Sequence, residues 1–179
     1  MSDQIICVPR QDQRTRILLG QAGQNTLLAI ALNPSTANSQ VLDPTSQNIK
    51  KIAKQMGCDG WMIMNLCSLR TANPKELPNK ISLNRMNTNL SCIEKMVLTE
   101  MPAKILLCWG NGIYTRDYLL KASIFVLQLL AQKQVEAFCL GHTNLNQPYH
   151  PSPQVINRIF GGVNNVRLKK FKGLEIKRE

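Results

Sequence analysis

The sequence predicts an α/β fold: a three-layer α/β/α sandwich whose central, mainly parallel sheet has four strands, with a further strand from an N-terminal hairpin. Short apolar runs alternate with longer segments whose apolar residues recur at helical spacing. Strands separated by helices pair in parallel and are covered on both faces. The chain shows no internal repeat, low-complexity tract or linker, so residues 1–179 are predicted to form a single domain.

The N-terminal third of the chain predicts a hairpin followed by a helix. The apolar runs at 14–20 and 26–32 flank the turn sequence QAGQN, which is typical of a hairpin. Asp43 is a good cap for a helix that has Pro44 in its first turn. Gly57 is expected to end that helix.

The remaining elements continue the alternation of strand and helix. A polar loop through Pro74 and Pro78 is predicted to separate the second core strand from the next helix. In chain order, the predicted elements are strand 61–64, a helix marked by Met86, Leu90, Ile93 and Val97, strand 104–109, helix 114–132, strand 135–140 and helix 152–159.

The charge balance favours a polyanionic partner. Lysine and arginine number 22 against 11 acidic residues, so the formal net charge is +11. DNA or a nucleotide is the expected partner because each neutralised phosphate releases counterions. A basic but solvated surface is the alternative. The basic residues concentrate in the C-terminal segment, at Arg167, Lys169, Lys170, Lys172, Lys177 and Arg178, of which Lys169 and Lys170 are predicted phosphate contacts.

The sequence predicts a cytoplasmic protein with no membrane span, metal or cofactor. No apolar run approaches the roughly 20 residues of a span, and the N-terminus lacks the charged start and apolar core of a secretory signal. The six cysteines form no CxxC pair and no Cys/His zinc spacing. Those within apolar runs are expected to be buried thiols. An iron–sulfur cluster from distant cysteines is the disfavoured alternative.

Polar residues follow each predicted core strand. Ligands of open α/β sheets bind outside the carboxyl ends of the strands, so these residues are expected to meet in one site. Taken singly, each has a structural alternative as a turn, a cap or a rigid loop residue. The residues are Asn33 after LLAIAL, Asn65 after WMIM, Gly110 and Asn111 after ILLCW, and His142 and His150 after VEAFCL.

These residue types suit recognition of a nucleobase. A carboxamide such as that of Asn65 presents a donor and an acceptor, which matches the edge of a base such as uracil. A histidine in a loop flanked by proline can donate to a developing oxyanion. Glycines after a strand let backbone N–H groups approach a ligand closely.

Four segments resemble motifs of the uracil-DNA glycosylase superfamily, in the same order. LNPST at 32–36 resembles the water-activating motif of the mismatch-specific branch. WMIMNLCSLRT at 61–71 resembles the strand whose terminal Asn reads the base. ILLCWGN at 105–111 and HPSP at 150–153 resemble, respectively, a Leu-Leu-Trp-Gly strand and the second catalytic motif of another branch. That branch has an Asp in its first motif and an aromatic nearby, whereas this chain has Asn33 followed by PSTA.

The resemblance implies a uracil-DNA glycosylase-like fold and hydrolysis of an N-glycosidic bond. Asn33 would position the attacking water, and His150 would stabilise charge on the leaving base. Asn65 would read the edge of a flipped uracil or modified base. The implied substrate-binding set is Pro34, Ser35, Asn65, Gly110, Asn111 and Ser152.

The chain resembles an uncharacterised family, DUF1643, more closely still. The shared pattern comprises LNPSTA (32–37), DPT (43–45), NLCSLRTANP (65–74), WGNG (109–112) and LGHTNLNQPYHP (140–151). This resemblance carries no established activity.

Three functions therefore stay open at the level of the sequence: a DNA glycosylase-like hydrolase, a non-catalytic binder of nucleic acid or nucleotide, and an enzyme acting on a small molecule or modified nucleotide. In the third, Arg70 or Lys75 would bind a phosphate. Arg70 is also a predicted phosphate contact of the hydrolase, with a surface cation as its alternative. The oligomeric state is not predicted.

Overall fold

The computed structural model describes residues 4–10 and 12–172. In chain order, the strands are β1 (Ile6–Val8), β2 (Leu18–Gln21), β3 (Thr26–Ala31), β4 (Gly60–Asn65), β5 (Lys104–Leu107), β6 (Ala137–Cys139) and β7 (Lys169–Lys170). The helices are α1 (Pro44–Gln55), α2 (Leu83–Thr99), α3 (Asp117–Gln132) and α4 (Pro153–Phe160). Short 3-10 helices span Pro74–Glu76, Gly110–Thr115 and Val163–Asn165.

The described strands form one mixed sheet in the order β1-β2-β4-β3-β5-β6-β7. The inner strands β4, β3, β5 and β6 are parallel. The outer strands β1, β2 and β7 are antiparallel to their neighbours. The predicted α/β class with a parallel centre is confirmed, but the described sheet has seven strands instead of the predicted four central strands and one hairpin strand. Strands β1 and β7 have only three and two residues, too short to show a periodic pattern.

The predicted hairpin is also wrong, because β2 and β3 do not pair with each other. Strand β4 lies between them, antiparallel to β2 and parallel to β3. The turn after β2 crosses the start of β4, where the carboxylate of Asp59 accepts the backbone N–H groups of Gln24 (3.2 Å) and Asn25 (2.7 Å). Gly23 and Gly60 approach so closely there that a Cβ on either would overlap the backbone of the other. The sequence pattern therefore predicts the turn, but it does not predict that β4 lies between the two strands that flank this turn.

Helices cover both faces of the sheet. On one face, alternate residues of the central strands pack against α2 and α3 through Ile93, Leu119 and Val126. On the other face, the intervening strand residues pack against α1 and α4 through Ile49 and Ile156. None of these helices, within the ranges described, is long and apolar enough to cross a membrane.

The connections after β3 and β5 open a crevice at their carboxyl ends. Helix α1 follows β3 on one face, whereas α3 follows β5 on the opposite face. Because β3 and β5 are neighbours, the two chain segments diverge where these strands end. Such divergence points are the usual binding crevices of open α/β sheets.

The segment after β5 departs from the prediction at the rim of this crevice. The strand ends at Leu107 instead of 109, and α3 begins at Asp117 instead of 114. Residues Gly110–Thr115 form a 3-10 helix between them. Gly110 has a left-handed backbone with φ of 65°, which a residue with a side chain adopts at a cost. This turn directs the segment across the ends of the parallel strands.

Candidate functional site

A cavity of about 460 Å³ lies at the carboxyl ends of β3, β4 and β5. Its volume is within the range of sites for small ligands. The cavity brings together seven of the residues predicted from the strand ends and motifs: Asn33, Ser35, Asn65, Gly110, Asn111, His150 and Ser152. The predicted residues Pro34, Arg70, Lys169 and Lys170 are not in its lining.

The carboxamide of Asn33 is held in one orientation by the backbone. Its Nδ2 donates to the carbonyl oxygens of Pro34 (3.0 Å) and Thr71 (2.8 Å). The backbone N–H of Thr71 donates in turn to the carbonyl of Pro34 at 2.9 Å. Because both amide hydrogens are used in this way, the acceptor Oδ1 is what the Asn33 side chain has left for a ligand or water.

Asn65 ends β4 and has the opposite hydrogen-bond state. It is 1% exposed, and its Nδ2 is shielded from solvent without a hydrogen-bond partner among the described residues. A buried donor without an acceptor costs free energy, which a ligand carbonyl in the cavity could recover.

Asn89 of α2 anchors the backbone at the end of β4. Its Nδ2 donates to the carbonyl oxygens of Asn65 (2.8 Å) and Leu66 (3.1 Å). Asn89 is buried and does not line the cavity. It is therefore a positioning residue for Asn65. In the sequence, Asn89 is one polar residue at an apolar position of a helix pattern, and this gives no indication of a function.

His150 lies against the left-handed turn at Gly110. A Cβ on Gly110 would lie 3.2 Å from the Cβ of His150, so the missing side chain lets the two residues pack closely. Burial lowers the pKa of His150 below 6.5, and the carboxylate of Asp43 opposes this effect. The ring is therefore neutral at neutral pH. Neither ring nitrogen has a hydrogen-bond partner within the described part of the chain.

The loop after β6 is hydrogen-bonded to two residues of the cavity lining, Trp109 and Asn111. The indole Nε1 of Trp109 donates to Oε1 of Gln147 at 2.9 Å, and Nε2 of Gln147 donates to the hydroxyl of Tyr114 at 2.7 Å. The hydroxyl of Thr143 donates to Oδ1 of Asn111 at 2.6 Å. Trp109 itself lines the cavity but is only 1% exposed, because its side chain packs in the core on the side of α2 and α3.

Two charged residues in the lining were not predicted as site residues. Arg16 is 2% exposed, and its Nη1 donates to the carbonyl of Ala37 at 2.8 Å. Asp43 caps α1 as predicted, because its Oδ1 accepts the N–H of Ser46 at 2.8 Å. In the sequence, the capping role is sufficient to explain Asp43, so its position in the cavity lining is not predicted. Arg16 precedes an apolar run and carries no motif, so only the tertiary structure places it here.

The sequence matches one family model over residues 15–152, which include every cavity residue described above. The chain belongs to the DUF1643 family. This family is described as proteins of unknown function. The matched DUF1643 region ends at the start of α4, and β7 lies outside it. A comparison with curated proteins gives no match.

Arg70 supports the LNPSTA segment of this DUF1643 protein from outside the cavity. Its Nη1 donates to the carbonyl oxygens of Ser35 (2.8 Å) and Ala37 (2.9 Å). Its Nε is buried without a partner among the residues described. Arg70 thus has a structural role at the backbone of this segment, and its contact with a phosphate stays a prediction.

The remaining predicted residues lie at the edge of the sheet. Lys169 and Lys170 form β7, and Lys170 makes an ion pair with Glu136 at 2.5 Å. His142 stacks near Phe171 with ring centroids 5.4 Å apart and does not line the cavity. Lys177 and Arg178 of the basic C-terminal segment lie outside the described residues.

The cysteines are free thiols, and five of the six are buried. Burial raises the pKa of Cys67, Cys108 and Cys139, which disfavours their thiolates. Across residues 4–10 and 12–172, no group of three or more His, Cys, Asp or Glu side chains is placed to hold a metal ion.

Proposed function

We propose that this DUF1643 protein is a nucleobase-directed N-glycosidase, which hydrolyses the N-glycosidic bond of uracil or a modified base in DNA. The observation that carries the proposal is the convergence of Asn33, Asn65 and His150 on one cavity. These three side chains also differ in hydrogen-bond state, and each state matches one requirement of the reaction.

Recognition of the base is assigned to Asn65. Its unpartnered Nδ2 is a donor for a carbonyl oxygen of the base. Asn65 is 1% exposed, so a base within a duplex could not reach its amide and the nucleotide would have to be flipped out.

Bond cleavage would release the base with the electron pair of the C1′–N bond and leave a cationic sugar. His150 is the donor for the negative charge that develops on the base, because its neutral ring has an N–H and no partner. The base then takes up one proton from solvent, which balances the proton that the attacking water loses, so the reaction consumes one water. A neutral donor avoids the cost of burying an imidazolium before substrate binds.

Water attack at C1′ would complete the reaction. Oδ1 of Asn33 accepts a hydrogen bond from the water, whose oxygen forms the new bond to C1′. An amide orients water but does not take its proton. The carboxylate of Asp43 in the same lining can accept that proton.

Base excision from oligonucleotides tests the proposal. DNA containing uracil or one of a panel of modified bases is incubated with the protein, and abasic sites are detected by alkaline strand cleavage. We expect excision by the wild type and a loss of about 100-fold or more in Asn33→Ala and His150→Ala. His142→Ala is the matched control, because His142 is in the same loop but outside the lining. Excision that survives both cavity substitutions would exclude the assigned roles.

A non-catalytic binder of nucleic acid or nucleotide is the second candidate. The observation that favours it is Asn33 itself, because an amide is a weaker activator of water than a carboxylate. The net charge of +11 serves binding equally well with or without chemistry. Binding to DNA without excision of any base in the panel would establish this alternative.

A further inference from the structure

Arg16 is the cation in the cavity lining, and most of its hydrogen-bonding capacity is unused. The guanidinium has five N–H donors. Nη1 donates to the carbonyl of Ala37, whereas Nε is shielded from solvent and has no partner in the described chain. The side chain is 2% exposed and lines the cavity.

The positive charge of Arg16 has no ion-pair partner among the described residues. The ion pair that these residues do form joins Lys170 to Glu136. Burial and, to a smaller extent, the nearby charge of Arg70 together lower the pKa of Arg16 to about 10, while Asp43 opposes both. Arg16 is therefore charged at neutral pH, but at a cost in stability.

Support of the backbone does not account for this cost. The carbonyl of Ala37 also accepts Nη1 of Arg70 at 2.9 Å, so it keeps a donor without Arg16. A buried charge that is unpaired, incompletely hydrogen-bonded and placed in a cavity wall is typical of a group that awaits an anion.

We propose that Arg16 forms an anion-binding subsite of the cavity and takes a phosphate group of the nucleotide ligand. The phosphate is the shared chemistry of two sources, a free nucleotide and a DNA strand. The identity of the ligand as a nucleotide rests on the proposed function, whereas the anion subsite itself does not.

The first turn of α1 adds to the subsite. Pro44, Thr45 and Ser46 line the same cavity, so the positive end of the helix dipole faces it. Asp43 faces the cavity as well, and its carboxylate opposes binding of an anion. Because Arg16 and Asp43 have opposite charges, removing the charge of Arg16 is expected to weaken anion binding, and removing that of Asp43 is expected to strengthen it.

Binding of inorganic phosphate, measured by calorimetry and by thermal unfolding, tests the subsite directly. We expect phosphate to bind the wild type and raise its Tm, and Arg16→Met to lose about 10-fold or more in affinity. Arg158→Met is the matched control, because Arg158 is exposed on α4 and its loss changes the net charge equally. Without phosphate, Arg16→Met should unfold at the wild-type Tm or above it. No binding to the wild type, or equal affinity in Arg16→Met, would overturn the proposal.

Asp43→Asn supplies a second measurement that does not depend on the folding of Arg16→Met. Asparagine caps a helix about as well as aspartate, so α1 is retained. Removal of the negative charge is expected to tighten phosphate binding about threefold or more. Unchanged or weaker phosphate binding in this variant would contradict an anion subsite beside Asp43.

The ligand source is separated by comparing deoxyuridine, its 5′-monophosphate and a single-stranded oligonucleotide containing uracil. Preference for the monophosphate over the nucleoside, abolished in Arg16→Met, supports the subsite. Binding of the oligonucleotide that also depends on Arg16 identifies a DNA phosphate as the natural anion, and its absence identifies a free nucleotide. Phosphate binding that depends on Arg16 without any base excision keeps the subsite and removes the glycosidase. Excision that is unchanged in Arg16→Met, together with no phosphate binding, keeps the glycosidase and removes the subsite.

Discussion

At the scale of single residues, two asparagines at neighbouring strand ends are used in opposite ways. Both Asn33 and Asn65 follow apolar runs, and the sequence alone does not distinguish their amide groups. The amide nitrogen of Asn33 donates to two backbone carbonyls, which leaves the acceptor. The amide nitrogen of Asn65 has no partner in the described residues, which leaves the donor. One residue type thus presents an acceptor at one strand end and a donor at the next.

The lowered pKa of His150 predicts a specific loss of stability in acid. The unfolded chain protonates this histidine near its ordinary pKa of 6.5, whereas the folded protein does so only at lower pH. Stability is therefore lost as pH falls from 6.5 towards the folded pKa. Urea unfolding of the wild type and His150→Gln at pH about 7.5 and 5 measures this. The variant should lose less stability than the wild type on acidification.

His142→Gln is the control for that measurement. Its ring packs near Phe171 away from the cavity, so this substitution should leave the wild-type pH dependence in place. An identical pH dependence in the wild type and His150→Gln would show that His150 is not desolvated in the folded state.

At the scale of the elements, the site depends on helix residues that do not line it, namely Asn48 and Asn89. Helix α2 holds the end of β4 through Asn89, and α1 holds the HPSP segment through Nδ2 of Asn48, which donates to the carbonyl of Pro151 at 3.0 Å. The N-terminus of α4 is capped by Ser152, which itself lines the cavity. The positions of the functional side chains are therefore determined by packing between elements.

Substitution of Asn89 tests this dependence. Asn89→Ala removes two hydrogen bonds and leaves the carbonyls of Asn65 and Leu66 without this donor. We expect the free energy of unfolding to fall by about 1–3 kcal/mol, as measured in urea. Binding of the base should weaken as well, because the end of β4 becomes less well defined.

Asn87→Ala is the matched control on the same helix, because Asn87 is exposed. It should change stability by no more than about 0.5 kcal/mol. Equal effects of the two substitutions would indicate that the contact with the end of β4 contributes nothing.

At the scale of the whole molecule, most of the basic residues lie outside the cavity. The lining holds Arg16 and Asp43, whereas the net charge of +11 arises largely from residues elsewhere on the chain. Lys169 lies on β7, opposite Cys139 at the carboxyl end of β6. A bound DNA strand could contact such lysines while one nucleotide enters the cavity.

DNA binding is therefore expected to weaken steeply with salt, as measured by fluorescence anisotropy between about 50 and 200 mM. Lys169→Gln should reduce the slope of log affinity against log salt by about 1, because one phosphate contact is lost. Lys95→Gln on the exposed face of α2 is the control for an equal charge change. No difference between these two variants would remove Lys169 from the phosphate contacts.

The resemblance of motifs and the positions of strand ends were sufficient to predict which residues gather at one edge of the sheet. Four core strands, four helices and the cap at Asp43 follow from local patterns of apolar residues, prolines and glycines. Because parallel strands share one carboxyl edge, their terminal residues were expected to meet, and the cavity includes Asn33, Asn65 and His150.

The sequence by itself determined the α/β class, the alternation of strand and helix, and the edge of the sheet where polar residues gather. Only the tertiary structure decided that β4 separates β2 from β3, that Asn89 anchors Asn65, and that Arg16 enters the cavity. The physical reason is the distance along the chain over which each effect acts. Propensity, capping and periodicity act over a few neighbouring residues, whereas these three features join segments far apart in the chain. Their geometry depends on which surfaces pack together, and no local pattern records that choice.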